Sequence, residues 1–141
     1  MSFTNIIGIA GTALNAQLLR LNLTSSNIAN ASTVASSEKE AFRAKRPVFQ
    51  ALLAQEQTNA GAQYVGGVKV DRVVNDGVNV QRLYEPGHPQ ADANGYIYGS
   101  GVNEMSEMVE MMSASRSYQN NVEVANTARE LMMKTIDLMK G

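Results

Sequence analysis

Apolar residues at Phe3, Ile7, Ala10, Leu14, Leu21 and Ile28 recur on alternating four- and three-residue steps, interrupted at Gln17 and Thr24. Ile6, Leu18 and Leu19 widen the stripe, and the spacing predicts one helix over about residues 4–29. Ser26, Asn27, Asn30 and Ser32 follow, and their short polar side chains compete for backbone hydrogen bonds and end the helix. Gly8 and Gly11 lie inside it, where glycine costs about 1 kcal/mol each unless another helix approaches closely. Residues 32–60 give a mixed signal: Phe42 to Phe49 reads as an extended strand or, after Pro47, as the start of a short helix, with strand the preferred reading. From Gly66 the period falls to two. Val68, Val70, Val73 and Val74, a turn at Asn75-Asp76-Gly77, and then Val78, Val80, Leu83 and Tyr84 predict a β-hairpin. The turn-rich stretch Pro86 to Gly95 leads into a short strand, Tyr96-Ile97-Tyr98.

Neither proline nor glycine occurs between Gly101 and Gly141. Val102, Met105, Met108, Val109 and Met112 begin a second stripe that resumes at Tyr118, Val122, Ala125, Met132, Ile136 and Met139, with Arg129 as the one departure. Glu104, Glu107 and Glu110 crowd the first turns and Lys134 and Lys140 close the end, as the helix dipole favours; the glutamates read as an exposed helix start. The fold class expected is therefore mostly α: two long terminal helices forming an antiparallel coiled-coil pair, with a small β-hairpin-rich middle region. The division follows as residues 1–35, 36–101 and 102–141.

Charge sharpens this picture more than composition does. Of 25 charged side chains only Arg20 falls within residues 1–37. A helix with one wet face normally carries charge there, so this one is expected to lie among other protein helices. Its apolar stripe is too thin to repay the ordering of the chain, and pairing the two ends covers one face of each. Both ends should be loose in the monomer and ordered in an oligomer. Formal net charge is −1, so nucleic acid is not an expected partner. There is no cysteine and one histidine, His88, so thiol chemistry and most zinc sites are excluded. His88, between glycine and proline, is expected to make a turn hydrogen bond. Asp92, Asn94 and Gly95 lack the spaced acidic ligands of a calcium loop, and Gly8-Ile9-Ala10-Gly11 lacks the strand and third glycine of a dinucleotide site. Lys39, Arg43, Lys45 and Arg46 read as a solvated face. No catalytic, cofactor or metal residue is expected. The polar interruptions at Asn5, Gly8, Thr12 and Asn15 argue against a cleaved signal peptide or a membrane span.

An uncharged first helix closing in Asn27-Ile28-Ala29-Asn30, a β-rich middle and a long last helix together resemble the flagellar axial protein family of rod, hook and hook-associated subunits. Two segments resemble its proximal rod members: Tyr84 to Tyr96, and Glu107-Met108-Val109-Glu110-Met111-Met112 running on to Glu123, the more specific of the two. The resemblance spans essentially the whole chain. It implies a structural subunit of the basal-body proximal rod, exported through the flagellar type III apparatus and assembled in the periplasm. Its helices would form a tube wall that lines the export channel and carries motor torque. Its partners would be copies of itself, other rod proteins and the export-gate or basal-body base proteins, with no small-molecule substrate.

The same resemblance implies that Phe3, Ile7, Leu14, Leu21 and Ile28 pack against neighbouring helices and that Met112, Tyr118, Val122, Met132 and Ile136 face them. Asn27 to Asn30 would break the first helix, and Arg116 and Gln119 would lie near polar inter-subunit contacts. Met108 and its neighbouring methionines would adapt to differing partners, or simply fill gaps in a core. The competing reading of these positions is an intramolecular seam with ordinary solvent-facing polar groups. Two departures from the family pattern stand out: Gly99-Ser100-Gly101 where a proline-containing approach to the last helix is expected, and Arg46-Pro47 interrupting an expected strand. Alternatives are another rod subunit of the family, a soluble coiled-coil adaptor or chaperone, or, last, an enzyme.

Overall fold

The computed structural model describes residues 3–52 and 66–140. The part of the ambiguous segment from 53 to 60 lies outside them. Helix α1 spans Phe3–Ala29 and helix α2 spans Glu104–Lys140, with these strands among the described residues between them: β1 Val34–Ala35, β2 Lys45–Ala51, β3 Val68–Asn75, β4 Arg82–Tyr84 and β5 Tyr96–Gly99. Among the described residues both end regions are thus helical and the stretch between them carries a small set of sheets. At 1.5 Å per residue, α2 is about 55 Å long. Asn103 caps it: its Oδ1 accepts the Ser106 N–H at 3.0 Å and its carbonyl accepts the Glu107 N–H. The first helix stops at Ala29 because the Asn30 N–H turns back to the Ser26 and Asn27 carbonyls and its side chain also donates to Ser26 O.

Pairing in the middle differs from the sequence expectation. No hairpin forms at Asn75-Asp76-Gly77. β3 pairs with β2 in a two-stranded sheet, whereas β4 joins β5 and β1 in the order β1-β5-β4. The Asp76 N–H donates to Ala44 O at one end of the first sheet and the Leu52 N–H to Gly67 O at the other, the sequence of an antiparallel pair. Arg46 and Pro47 lie within β2, so the proline does not interrupt the strand. Each strand of a two-stranded sheet has an unpaired edge, where a missing N–H breaks no ladder bond.

The chain divides into two compact units. One comprises Met1–Leu19, Val48–Arg72 and Ser113–Gly141, and the other comprises Arg20–Pro47 and Val73–Met112. Within the first, the Thr12 hydroxyl donates to Ile9 O at 2.7 Å and accepts the Val68 N–H at 3.1 Å, tying α1 to β3. Gly67 makes this possible: its φ is +140° and a Cβ there would sit 2.8 Å from the Thr12 hydroxyl.

In the second unit, Val34 opposes Gly99 and Ala35 opposes Tyr98 on one side of β5, while Arg82, Leu83 and Tyr84 oppose Tyr98, Ile97 and Tyr96 on the other. Ile97, central in this sheet, is buried. The β4–β5 connection is pinned by Asp92, whose Oδ1 accepts the N–H groups of Asn94 and Tyr96 at 2.8 and 2.9 Å. Arg82 lies 3.6 Å over the Tyr96 ring, and Tyr84 meets the same ring edge-on at 5.0 Å. His88 makes the expected turn bond, accepting the Gln90 N–H at 3.1 Å. Gly99-Ser100-Gly101 then carries the chain towards α2 by main-chain bonds, from Gly99 N–H to Gln81 O, Ser100 N–H to Thr33 O and Gly101 N–H to Phe42 O.

Candidate assembly surface

The fully buried positions of the two helices are small or polar. On α1 they are Ala10, Ala16, Thr24 and Asn27, and on α2 they are Glu107, Ala114 and Ala128. The three on α2 are separated by seven and fourteen residues, a heptad register. That register misses the apolar stripe expected at the start of α2. Met105, Val109 and Met112 are 73%, 60% and 61% exposed, and Met108 stands out beside them. An apolar row at i, i+3, i+4 and i+7 therefore faces outward over the first turns of the helix. Further along, Val124, Leu131, Met133, Ile136, Leu138 and Met139 are also exposed.

What occupies the inner side of these turns is a charged cluster. Glu107, expected on an exposed helix start, is 0% exposed. Its Oε2 accepts a hydrogen bond from Asn27 Nδ2 at 3.0 Å, and its Oε1 faces Arg46 Nη2 at 2.5 Å as an ion pair without the alignment of a hydrogen bond. Arg46 also reaches Asp76 Oδ2 at 3.4 Å. Asn27 goes on to bind the main chain of Lys45 twice, donating to its carbonyl at 3.0 Å and accepting its N–H at 2.9 Å. Arg20 pairs with Glu110, which is likewise not free in solvent. Of the three glutamates only Glu104 is exposed. In the basic cluster Lys39 and Lys45 are exposed as expected, whereas Arg46 is committed to two carboxylates and Arg43 reaches Glu38 at 3.7 Å.

The remaining residues named from the sequence fall into three groups. Phe3, Ile7, Leu14, Leu21 and Ile28 on α1 are half-buried, as are Asn30 and, on α2, Tyr118, Val122 and Met132. Asn27 stays inside the helix rather than breaking it, and is buried. Met108, Met112, Arg116, Gln119 and Ile136 are exposed. Phe3 and Ile6 line one side of an open groove of about 360 Å³ whose other side is Asn120, Val124, Thr127, Ala128 and Leu131. Glu107, Arg46 and Asp76 were not legible as a cluster, because the glutamates in the first two turns of a helix satisfy the dipole on their own. The signal was the seven-residue spacing from Glu107 to Ala114, which places that one glutamate, and neither of the others, on the buried line.

Asp92 is the one group among the described residues whose acidity is clearly displaced. The Tyr96 N–H bond holds its carboxyl below the usual value, opposed by desolvation and reinforced by the Asn94 N–H, the Arg82 charge and the Tyr98 hydroxyl. These partners are all within its own loop and sheet, so the arrangement orders a turn and offers no vacant acid or base. Among the described residues no group of His, Cys, Asp and Glu side chains could hold a metal, and no helix is long and apolar enough to cross a membrane.

Comparison with known proteins completes the description. Residues 7–34 match the family described as flagella basal body rod protein, and residues 93–138 match the flagellar basal body rod FlgEFG protein C-terminal family. Over 138 residues, 98% of both chains, the sequence is 47% identical to the flagellar basal-body rod protein FlgC of Salmonella typhimurium. It is 48% identical over the same span to FlgC of Escherichia coli O6:H1. A more distant FlgC, from Buchnera aphidicola of Schizaphis graminum, is 37% identical over 140 residues, again 98% of both chains.

Proposed function

Since the chain belongs to the FlgC family of flagellar basal-body rod proteins, and is thus a structural rod subunit and not an enzyme, we propose that it joins its neighbours through its terminal helices. In this reading α1 and α2 pair antiparallel as a coiled coil and turn their outer faces to adjoining subunits. Support for the pairing comes from the order of the bridging contacts, Arg20 with Glu110 and Asn27 with Glu107, and from the heptad spacing of Glu107, Ala114 and Ala128. The proposed functional division keeps residues 1–35 and 102–141 as the assembly helices and 36–101 as the connecting β region.

The observation that carries the reading is the row Met105, Met108, Val109 and Met112, apolar and turned to solvent while a glutamate occupies the inner face. A soluble monomer gains nothing from exposing it. Burial of that row between subunits removes it from water, and unbranched thioethers pack against surfaces of differing shape. Arg116 and Gln119 flank the same face and would supply polar contacts. Phe3, Ile7, Leu14, Leu21, Ile28, Tyr118, Val122, Met132 and Ile136 would complete the packing with neighbouring helices. The neighbours are copies of the chain and other rod proteins, with the export gate and basal-body base proteins at one end. The assembled helices would line the channel used by the type III export apparatus and transmit torque within the periplasm. Deleting residues 1–10 and isolating basal bodies tests the reading: loss of a complete rod is expected, and a complete rod would overturn it.

A further inference from the structure

The chain has no cysteine and no tryptophan, so its thioethers are its most readily oxidised side chains. Seven of its eight methionines lie on α2, between 105 and 139. They are not equally placed. Met105, Met108 and Met112 stand exposed on one face of the first turns and Met133 and Met139 are exposed further along, whereas Met111 and Met132 are half-buried. We infer that Met105, Met108 and Met112 form an oxidation-sensitive surface through which a peroxide-class oxidant switches the free subunit from assembly-competent to assembly-blocked.

The chemistry is a two-electron transfer of oxygen. The thioether sulfur attacks one oxygen of hydrogen peroxide, an S–O bond forms as the O–O bond breaks, and the departing hydroxide takes the proton from the newly bound oxygen and leaves as water. The resulting sulfoxide is polar and carries a strong hydrogen-bond acceptor. Burying it in an apolar contact without a donor is unfavourable, and three sulfoxides within two turns affect the whole row. In a finished rod the same sulfurs would be shielded, so the sensitivity belongs to subunits that have not yet been incorporated. This rests on the reading that the row is buried between subunits.

The test exposes the purified chain and isolated basal bodies containing it to hydrogen peroxide and follows oxygen addition at each methionine by peptide mass spectrometry. In the free chain Met105 and Met112 should oxidise several-fold faster than Met111, which is half-buried one turn beyond Glu107. In basal bodies all three row methionines should be protected several-fold relative to the free chain. Two triple variants complete it in cells lacking their own copy. M105L/M108L/M112L, which cannot be oxidised at the row, should build rods. M105Q/M108Q/M112Q, which places a polar acceptor at each position, should not. Equal oxidation of Met111 and the row methionines in the free chain overturns the inference, as do normal rods from the glutamine variant with protection intact. Row methionines that oxidise equally in free and assembled protein would instead overturn the placement of this face between subunits, and the inference with it.

Discussion

A carboxylate stripped of water on the inner side of a helix is costly unless its charge and lone pairs are answered. Glu107 is answered by Arg46 and Asn27. Removing Arg46 should therefore do more harm than removing both charges. Arg46→Ala leaves the Glu107 charge buried with only the Asn27 amide to answer it, for a loss of about 3 to 5 kcal/mol. Arg46→Met with Glu107→Leu should recover much of that loss, as read by urea midpoints of the single and double variants. Asp92 presents the opposite case, a carboxylate in solvent whose turn depends on its charge. Its folded pKa lies below the unfolded value, so its contribution is complete above the unfolded value near 3.8 and fades as pH falls through the lower folded one. Amide shifts of Asn94 and Tyr96 should move together below pH 4 in the native protein. In Asp92→Asn that joint movement should be absent.

At the scale of elements, α1 and α2 were legible to within a residue or two, from 4–29 to Phe3–Ala29 and from 102–141 to Glu104–Lys140. Period and capping chemistry are local, and both helices obey them. The β pairing was not legible. Asn75-Asp76-Gly77 has the composition of a tight turn, but the Asp76 N–H is taken by Ala44 and its carboxylate by Arg46, partners some thirty residues away that no window contains. Which face of the first turns of α2 points inward was likewise hidden, because there the more apolar face is the outer one. This inversion separates two substitutions. Ala114→Leu inserts volume where nothing is exposed and should lower stability by about 1 to 3 kcal/mol. Val109→Glu, on the exposed row, should leave the thermal midpoint of the isolated chain nearly unchanged while preventing rod completion in basal-body preparations.

For the molecule as a whole, stability and function make different demands on the same residues. The buried helical positions are largely alanine, threonine and asparagine, side chains that bury little apolar area, while much of the aliphatic surface remains half-buried or exposed. A chain built this way is expected to depend on neighbours for its order. Hydrogen exchange on the isolated protein should find weak protection toward the free ends of α1 and α2. Protection should be stronger around Asn27, Glu107 and the β1-β5-β4 sheet, where buried hydrogen bonds accumulate. Uniformly strong protection along both helices would contradict that dependence.

Asn27 grips Lys45 solely by that residue's own peptide groups, one donor and one acceptor. The amine at the tip of Lys45 plays no part in the clasp. Evolution is therefore free to exchange the character of this position, acidic for basic or large for small, without loosening the joint between helix and strand. The exception is an imino acid: proline has no hydrogen to offer, and it would remove half of the clasp while looking like a modest surface change.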